Sequence, residues 1–277
     1  MTRSSLAVIG LFCLIYLLPL GFRPMTVPDE SRYSEIPREM IASGDWVVPR
    51  LNGVLYFEKP VMGYWVNAVA IGLFGQNRFS IRLPSALATG LTALMLFFLV
   101  RRFSRENPAP AALLACAAYL TCLLVFALGV INILDSLLTL FLTGAMVAFF
   151  YANHAGRGGR SLIGLAVFGG FCGLAFLVKG FLAFVVPIVT VVPFVLWERR
   201  MKSFLKLSWI PVLTAVLVVM PWAVMIHLRE GDFWNYFFWT EHIRRFLSPI
   251  PGQHPEPFWY YLPVLMGGAL PWVVLAP

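Results

Sequence analysis

The chain has 277 residues, of which 60% are hydrophobic and only 12% are charged, with a formal net charge of +8. A mean hydropathy of +0.80 and repeated long apolar runs exclude an ordinary soluble domain and indicate an integral membrane protein. We expect no nucleic-acid partner, because many of the basic residues lie in short loops between apolar segments, where membrane orientation and contact with anionic membrane lipids explain them.

Eight apolar segments are predicted to span the membrane. In chain order they are 6–22, 79–100, 109–131, 136–151, 161–178, 181–197, 207–226 and 258–276. No small-residue cleavage site follows the first segment, which predicts an uncleaved span rather than a signal peptide. All four cysteines lie inside apolar segments, so they indicate neither disulfides nor a metal site.

Residues 61–75 are also apolar, but they are fewer than the about 20 residues that a perpendicular crossing needs. If this segment does not cross, the basic loops 101–107, 154–160 and 198–206 all lie on the same side as Arg3, as the positive-inside rule requires. The sequence therefore predicts a re-entrant or interfacial helix here, on the outer surface.

This topology leaves a first outer loop at 23–78, a minimal turn at 132–135 and a second outer loop at 227–257. Of the 13 carboxylates, all except Glu106 and Glu198 then lie at the outer face. The positive-inside rule constrains Lys and Arg far more than acids, so it does not explain this clustering. Solvated loops with paired ions would explain any single exposed residue, but the group as a whole indicates a site.

Within the first outer loop, residues 29–43 have the composition of a helix. Gly44 is placed to cap its C-terminus. Pro37 lies inside this segment and is predicted to kink or split the helix, because proline lacks the N–H that the helical ladder needs.

Several short strings occur in the order seen in aminoarabinose transferases of the polyprenyl-phosphate-dependent glycosyltransferase superfamily. They are Asp29-Glu30-Ser31-Arg32-Tyr33, Tyr56-Phe57-Glu58-Lys59-Pro60, Leu134-Asp135, Lys179-Gly180-Phe181, Asp232-Phe233-Trp234, Glu241-His242-Ile243-Arg244-Arg245-Phe246 and Pro257-Phe258-Trp259-Tyr260-Tyr261-Leu262-Pro263. The Asp-Glu pair and the Lys-Pro pair also fit protein O-mannosyltransferases, whereas the strings around Glu58 and His242 favour the aminoarabinose branch. The chain resembles the N-terminal half of such enzymes, so we expect that C-terminal spans and an outer soluble domain are missing.

The resemblance implies an all-α polytopic transmembrane bundle of GT-C type, with periplasmic juxtamembrane helices and 1–277 as a single glycosyltransferase domain. It implies transfer of a sugar, 4-amino-4-deoxy-L-arabinose, from undecaprenyl phosphate to lipid A at the periplasmic face of the bacterial inner membrane. Membrane lipids are the remaining expected partners. A related transferase acting on protein or another glycan is the first alternative.

The resemblance also implies catalytic carboxylates at Asp29, Glu30 and Asp135. With a hydroxyl acceptor, Asp29 would be a general base. A phosphate monoester is already mostly a dianion at neutral pH, so with such an acceptor Asp29 would instead hold the sugar amine or orient the donor. As a purely structural alternative, Asp29 is an acid that interacts with a helix N-terminus.

The leaving group is a phosphate, whose developing charge lysine and arginine stabilise directly. Lys59 and Arg32 in the first outer loop are the best candidates for this carrier-phosphate binding, followed by Arg245 and Lys179. Lys59 could instead be a snorkelling residue at the rim of the interfacial helix.

Glu58 and His242 could ligate a divalent metal, zinc or manganese, although a lone histidine is more often a hydrogen-bonded structural residue. The resemblance implies a metal near the carrier phosphate. The sequence has no glycine-rich phosphate loop or nucleotide motif, so we expect no nucleotide cofactor.

Two further classes of protein compete with the enzyme. A polyprenyl-lipid transporter would place polar residues near the membrane midplane and show internal repeats, whereas here the charges gather at one face and no repeat is visible. A structural subunit of an envelope complex would not need Asp29, Glu58 and Lys59 near one another.

Overall fold

The computed structural model of the chain describes residues 3–154, 160–199, 201–247 and 256–275. Within these ranges the regular secondary structure is helical, apart from an antiparallel hairpin of β1 (Arg50–Leu51) and β2 (Val54–Leu55). The all-α prediction is therefore confirmed. The helices are α1 (Arg3–Phe12), α2 (Asp29–Ser43), α3 (Met62–Phe74), α4 (Arg78–Phe103), α5 (Pro108–Thr121), α6 (Leu123–Gly129), α7 (Asp135–His154), α8 (Arg160–Lys179), α9 (Leu182–Trp197), α10 (Met201–Leu207), α11 (Trp209–Arg229), α12 (Arg245–Leu247) and α13 (Tyr261–Gly268). A π-helix, Asn235–Arg244, precedes α12.

Five described helical segments are long and apolar enough to cross a membrane, and each coincides with a predicted span. They are Arg3–Gly21, Arg78–Phe103, Asp135–His154, Ser161–Lys179 and Phe204–Arg229. The first continues from α1 through a π turn and a 3-10 turn. Helix α9 is apolar but has only 16 residues.

Two other predicted spans are not single continuous helices. The segment predicted at 109–131 consists of α5 and α6, which are bent by 67° at Cys122. The segment predicted at 258–276 holds only the eight-residue α13 between short 3-10 turns, because paired glycines end that helix and Pro271 follows. The two breaks meet, since Leu123 N–H donates to the Leu270 carbonyl at 2.9 Å.

Helix α2 is continuous through Pro37, so the predicted split of this helix was wrong. Proline leaves the carbonyl four residues earlier, that of Tyr33, without its helical donor. The side-chain amide of Asn67 on α3 donates to this carbonyl at 3.2 Å. A neighbouring helix therefore replaces the missing bond, and α2 ends where predicted, at Gly44 in the left-handed conformation (φ 71°).

The largest buried cluster lies where α2, α3, α7, α8 and α11 meet the π-helix. Tyr64, Trp222, Phe233 and Phe237 are its largest fully buried side chains. Helices α8 and α11 approach closely because α8 presents two glycines, Gly169 and Gly173, whose missing Cβ atoms would clash with the α11 backbone. This packing fixes the ends of the helices that carry the polar residues described below.

Helix α3 has 13 residues, or about 20 Å at 1.5 Å per residue, which is too short to cross a hydrocarbon layer of about 30 Å. It packs against α2 and α4, and the indole N–H of Trp65 donates to the Trp46 carbonyl at 2.7 Å. These contacts agree with the predicted interfacial helix.

We predict that residues 23–78 lie wholly on the outer side. In a background without native cysteines, single cysteines at Ser43 and Gln76 should both react with a membrane-impermeant reagent added from outside, while a cysteine at Arg105 stays protected. Labelling at Ser43 with protection at Gln76 would mean that α3 spans the membrane.

Candidate functional site

The end of the bundle that carries α2 and the β hairpin is organised around a buried ion pair between Glu30 and Arg82. Both side chains are 0% exposed. Arg82 Nε donates to Glu30 Oε1 at 2.7 Å and Arg82 Nη2 donates to Oε2 at 2.8 Å. This bidentate geometry is the strongest that an arginine and a carboxylate form.

The remaining hydrogen bonds of the pair join four parts of the chain. Arg82 on α4 also donates to the carbonyls of Leu20, Arg23 and Pro24, in the segment that follows α1. The Glu30 carboxylate also accepts from the backbone N–H of Thr26 at 2.7 Å and from that of Asn132 at 2.9 Å. All five N–H donors of the guanidinium are therefore used, which compensates the cost of burying it.

The surroundings of Glu30 keep it ionised. Burial alone would raise the pKa of this carboxyl, but hydrogen bonds from Arg82, Thr26 and Asn132 outweigh burial and lower the pKa from 4.5 to about 2. Glu30 is therefore ionised at neutral pH, and its charge is used to bind Arg82.

The predicted catalytic acids Asp29 and Asp135 lie beside this network. Asp29 is the first residue of α2, immediately before Glu30, and its side chain is 56% exposed. Asp135 begins α7, three residues after Asn132, and its side chain is 42% exposed. The buried pair therefore anchors the start of α2 and the turn before α7, while the two neighbouring acids remain accessible.

Each of the two acids is paired with a predicted phosphate-binding cation. Lys179 Nζ donates to Asp135 Oδ1 at 2.8 Å. Arg32 Nη2 lies 3.5 Å from Asp29 Oδ1, one helical turn along α2. Both acids and Arg32 act electrostatically on Tyr33, so the two pairs lie near the same residue.

Arg32 is oriented by the residues that follow the β hairpin. Its Nη1 donates to the Tyr56 hydroxyl at 3.1 Å and lies 3.6 Å from Glu58 Oε2. Tyr56 in turn donates to the same Glu58 oxygen at 2.9 Å. The hydrogen bond with Tyr56 raises the pKa of Arg32 above its ordinary value, so the guanidinium stays charged.

Lys59 forms a separate cluster with Glu241 and Arg245, which lie in and directly after the π-helix. Its Nζ donates to the Glu241 carboxylate, which also accepts from Arg245, and to the Glu58 carbonyl at 3.0 Å. The Glu241 side chain is 8% exposed and that of Lys59 is 19% exposed. Two cations share one carboxylate, so the cluster carries a net positive charge.

His242 is packed against Phe181, Phe237 and Gly180. Its Nδ1 lies 2.7 Å from the Phe237 carbonyl, and its ring meets Phe181 edge-on. Its Nε2 faces Gly180, which has φ 68° and no room for a Cβ. Glycine at position 180 therefore allows His242 and Phe237 to approach the backbone next to Lys179.

A sequence profile of the family described as dolichyl-phosphate-mannose-protein mannosyltransferase matches residues 1–237. The chain belongs to this family.

Curated relatives cover the whole chain and are longer than it. The chain is 46% identical over 277 residues to a protein of Aeromonas hydrophila subsp. hydrophila and 46% identical over 278 residues to one of Shewanella sediminis. Each is named undecaprenyl phosphate-alpha-4-amino-4-deoxy-L-arabinose arabinosyl transferase, and the matches cover 100% of this chain and 50% of each relative. The chain therefore spans about half the length of these relatives.

Two solved structures have the same fold. They are ArnT from Cupriavidus metallidurans bound to undecaprenyl phosphate, with a TM-score of 0.90, and the same protein in the apo state, with a TM-score of 0.88. Both are 28% identical to this chain, and the first covers 100% of this chain and 50% of that one. The predicted GT-C fold and the predicted resemblance are confirmed.

In this mannosyltransferase-family chain the predicted site residues form three groups, and Glu30 lies apart from them. Arg32, Glu58 and Asp29 form one group, Lys59 and Arg245 meet at Glu241, and Lys179 meets Asp135. Glu30 is fully buried behind them and is bound on both oxygens, so it cannot contact a substrate. Its place in the structure is that of a positioning residue rather than a catalytic one.

Glu58 and His242, which were predicted to hold a metal, each contact neighbouring protein groups. The Glu58 carboxylate is bound by Tyr56 and lies beside Arg32, and His242 Nδ1 lies against a backbone carbonyl. Within the described ranges, no three His, Cys, Asp or Glu side chains are grouped as metal ligands. A metal-bound histidine commonly turns its other ring nitrogen to a backbone carbonyl, so the contact of His242 with Phe237 leaves Nε2 as the ligand atom that the prediction requires. The metal stays a prediction that elemental analysis of the purified protein would check.

Sequence reasoning missed Arg82, Asn132 and Glu241 as members of the site. Arg82 carried a usable signal, because it is a lone charge near the start of a predicted span, and such a charge needs a partner. Asn132 and Glu241 lay in segments that the sequence analysis singled out, but their partners Glu30 and Lys59 lie more than 100 residues away along the chain, so the pairings could not be predicted.

We predict that Arg82→Ala destabilises the protein by about 3–5 kcal/mol, because it leaves the Glu30 charge buried without its partner. Arg38→Ala, which removes an exposed partner of Glu35 on the same α2, should leave the melting temperature unchanged. Thermal unfolding in detergent measures both variants. Equal melting temperatures for the two would contradict the role of the buried pair.

The same pair predicts a pH dependence. Because the pKa of Glu30 is lowered on folding, its stabilisation is complete above the ordinary value of 4.5 and is lost as pH falls toward about 2. Melting temperatures between pH 5 and pH 2 should fall more steeply for the wild type than for Glu30→Gln. Parallel curves would exclude the ionised pair.

Proposed function

We propose that this chain carries the donor site of a membrane glycosyltransferase that moves 4-amino-4-deoxy-L-arabinose from undecaprenyl phosphate to lipid A, at the periplasmic face of the bacterial inner membrane. The observation that carries the proposal is the gathering of Arg32, Lys59, Lys179 and Arg245 with exposed Asp29 and Asp135 at one end of the bundle. The names of the relatives and the carrier lipid in the similar solved structure support it.

The charge balance of the reaction suits this cluster. The bond between the anomeric carbon and the carrier phosphate breaks, its electron pair goes to the phosphate oxygen, and an acceptor oxygen forms the new bond. The carrier phosphate changes from a diester with one negative charge to a monoester that approaches two. Fixed cations therefore stabilise the leaving group more than the bound donor, which is the requirement for catalysis.

Lys59 and Arg32 are held ready for such a phosphate. Each is partly buried, and the charged end of each is oriented by a neighbouring group. The Glu241 carboxylate orients Lys59, and the Tyr56 hydroxyl orients Arg32. An arriving phosphate oxygen meets preoriented donors and does not have to order flexible side chains.

Asp29 and Asp135 are suited to orienting the sugar. A phosphate acceptor on lipid A is mostly ionised at neutral pH and needs little deprotonation. The accessible carboxylates can instead bind the ammonium group of the amino sugar, which distinguishes it from a neutral sugar. With a hydroxyl acceptor, as in a transferase that acts on protein, Asp29 would serve as the general base.

A transporter of polyprenyl lipids fits less well. The described Asp, Glu, Lys and Arg residues lie outside the five long helical segments or within five residues of their ends. The fully buried Glu30–Arg82 pair has no free hydrogen-bonding group to offer a cargo. A transport site is built near the membrane midplane from broken helices.

We predict that Lys59→Ala, in the protein at its native length, weakens binding of undecaprenyl phosphate about ten- to a hundredfold, because one charge-assisted contact contributes about 1.5–3 kcal/mol. Arg50→Ala removes another outer cation, paired with Glu230, and should bind normally. Affinity in nanodiscs measures both. Unchanged affinity of Lys59→Ala would place the phosphate elsewhere, at Lys179 or Arg245.

Asp29→Asn should separate binding from chemistry. We expect this variant to express normally and to bind the carrier lipid nearly as well as the wild type, because Asp29 is exposed and its one ion pair among the described residues is with Arg32. Sugar transfer should nevertheless be abolished. Wild-type transfer by a well-expressed Asp29→Asn protein would remove Asp29 from the catalytic site.

A further inference from the structure

A buried tyrosine on the interfacial helix α3 has a hydroxyl without a polar partner. Tyr64 is 0% exposed, and among the described residues its hydroxyl is the only buried side-chain oxygen or nitrogen that makes no hydrogen bond. By contrast, Asn67, one turn along the same helix and also buried, donates to the Tyr33 carbonyl and to the Asn132 side chain. A buried polar group without a partner costs free energy, so its retention calls for a use.

The ring of Tyr64 packs against the tyrosine that orients Arg32. Its centroid lies 6.5 Å from that of Tyr56, and the two rings are inclined at 81°. The preceding residue, Gly63, allows α3 to lie close to Leu134, because a Cβ at this position would clash with the leucine side chain. Close packing therefore fixes the Tyr64 hydroxyl on a buried helix face beside the residues that hold Arg32.

Tyr64 keeps its proton and is therefore a hydrogen-bond donor. Burial raises the pKa of this phenol well above its ordinary value of 10, and the neighbouring Tyr56, Tyr33 and Glu58 raise it further. The group without a partner is thus an O–H that remains protonated throughout the physiological pH range.

The Tyr56 hydroxyl is the neighbouring group that loses a donor when an anion binds Arg32. In this structure it accepts from Arg32 Nη1 at 3.1 Å and donates to Glu58 Oε2 at 2.9 Å. A charged phosphate oxygen binds a guanidinium about twice as strongly as a neutral hydroxyl does. A phosphate at Arg32 therefore competes with Tyr56, and the Tyr56 oxygen then needs another donor.

We infer that Tyr64 is a positioning residue of the donor site, whose hydroxyl donates to Tyr56 when the carrier phosphate draws Arg32 away. Tyr56 then keeps its hydrogen bond to Glu58, and Arg32 turns to the phosphate without leaving a buried oxygen unpaired. The inference rests on the proposed function and adds a residue that acts only through Tyr56. The hydroxyl that destabilises the carrier-free protein is satisfied in the carrier-bound one.

The test compares two buried tyrosines in the protein at its native length, in nanodiscs. Tyr64→Phe should lower the affinity for undecaprenyl phosphate about two- to tenfold, which corresponds to one neutral hydrogen bond. Without carrier, its melting temperature should equal or exceed that of the wild type, because a buried hydroxyl without a partner is removed. Tyr16→Phe is the control, since its buried hydroxyl donates to the Leu120 carbonyl at 2.8 Å. It should melt at a lower temperature and bind the carrier normally.

A double-mutant cycle with Tyr56→Phe shows whether Tyr64 acts through Tyr56. In the Tyr56→Phe protein the acceptor oxygen is gone, so adding Tyr64→Phe should lower the carrier affinity no further. A further loss as large as in the wild-type background would make the two residues independent and would overturn the inference.

Two other results would also overturn the inference. A lower melting temperature of Tyr64→Phe with unchanged carrier affinity would make its hydroxyl a structural group, like that of Tyr16. Unchanged affinity with an equal or higher melting temperature would show that the hydroxyl has no use in the carrier-bound protein. Failure of the wild type itself to bind undecaprenyl phosphate would instead refute the proposed function.

Discussion

The outer half of this molecule depends on one constraint, which is that the charge of Arg82 is buried and every one of its donors must be satisfied. Glu30 and three carbonyls after the first span meet that need, and Glu30 accepts in turn from the turn at Asn132. Breaking any of these contacts leaves a buried polar group without a hydrogen-bond partner. The free-energy cost is far larger than the stabilisation that an exposed ion pair contributes. The pair therefore fixes the relative positions of segments that are distant in sequence.

The site follows from this arrangement. Asp29 precedes Glu30, and Asp135 follows Asn132 by three residues, so both accessible acids are positioned by a pair that never meets substrate. The cations are positioned separately, through Tyr56 for Arg32 and through Glu241 for Lys59. Rigid placement of groups around a developing phosphate charge is the main contribution that a protein makes to this chemistry.

The sequence predicted those parts that depend on local composition. The long spans, the short helix α3, the cap at Gly44 and the outer cluster of charge all follow from apolar length or residue type. Prediction from the sequence failed where a residue distant in the chain supplies a backbone hydrogen bond that the helix itself cannot make. Asn67 supplies the hydrogen bond that Pro37 takes from α2, and the Leu270 carbonyl accepts the Leu123 N–H at the break after Cys122. The role of Glu30 likewise became visible only with Arg82 beside it.

The most direct test of this account is a double-mutant cycle on the transfer rate, with Glu30→Gln, Arg82→Gln and the double variant, each at native length. If the two residues act as one unit that positions Asp29 and Asp135, each single change lowers the rate and the double change lowers it no further than the worse single change. Losses that multiply as for independent residues, or single variants that keep the wild-type rate, would contradict it.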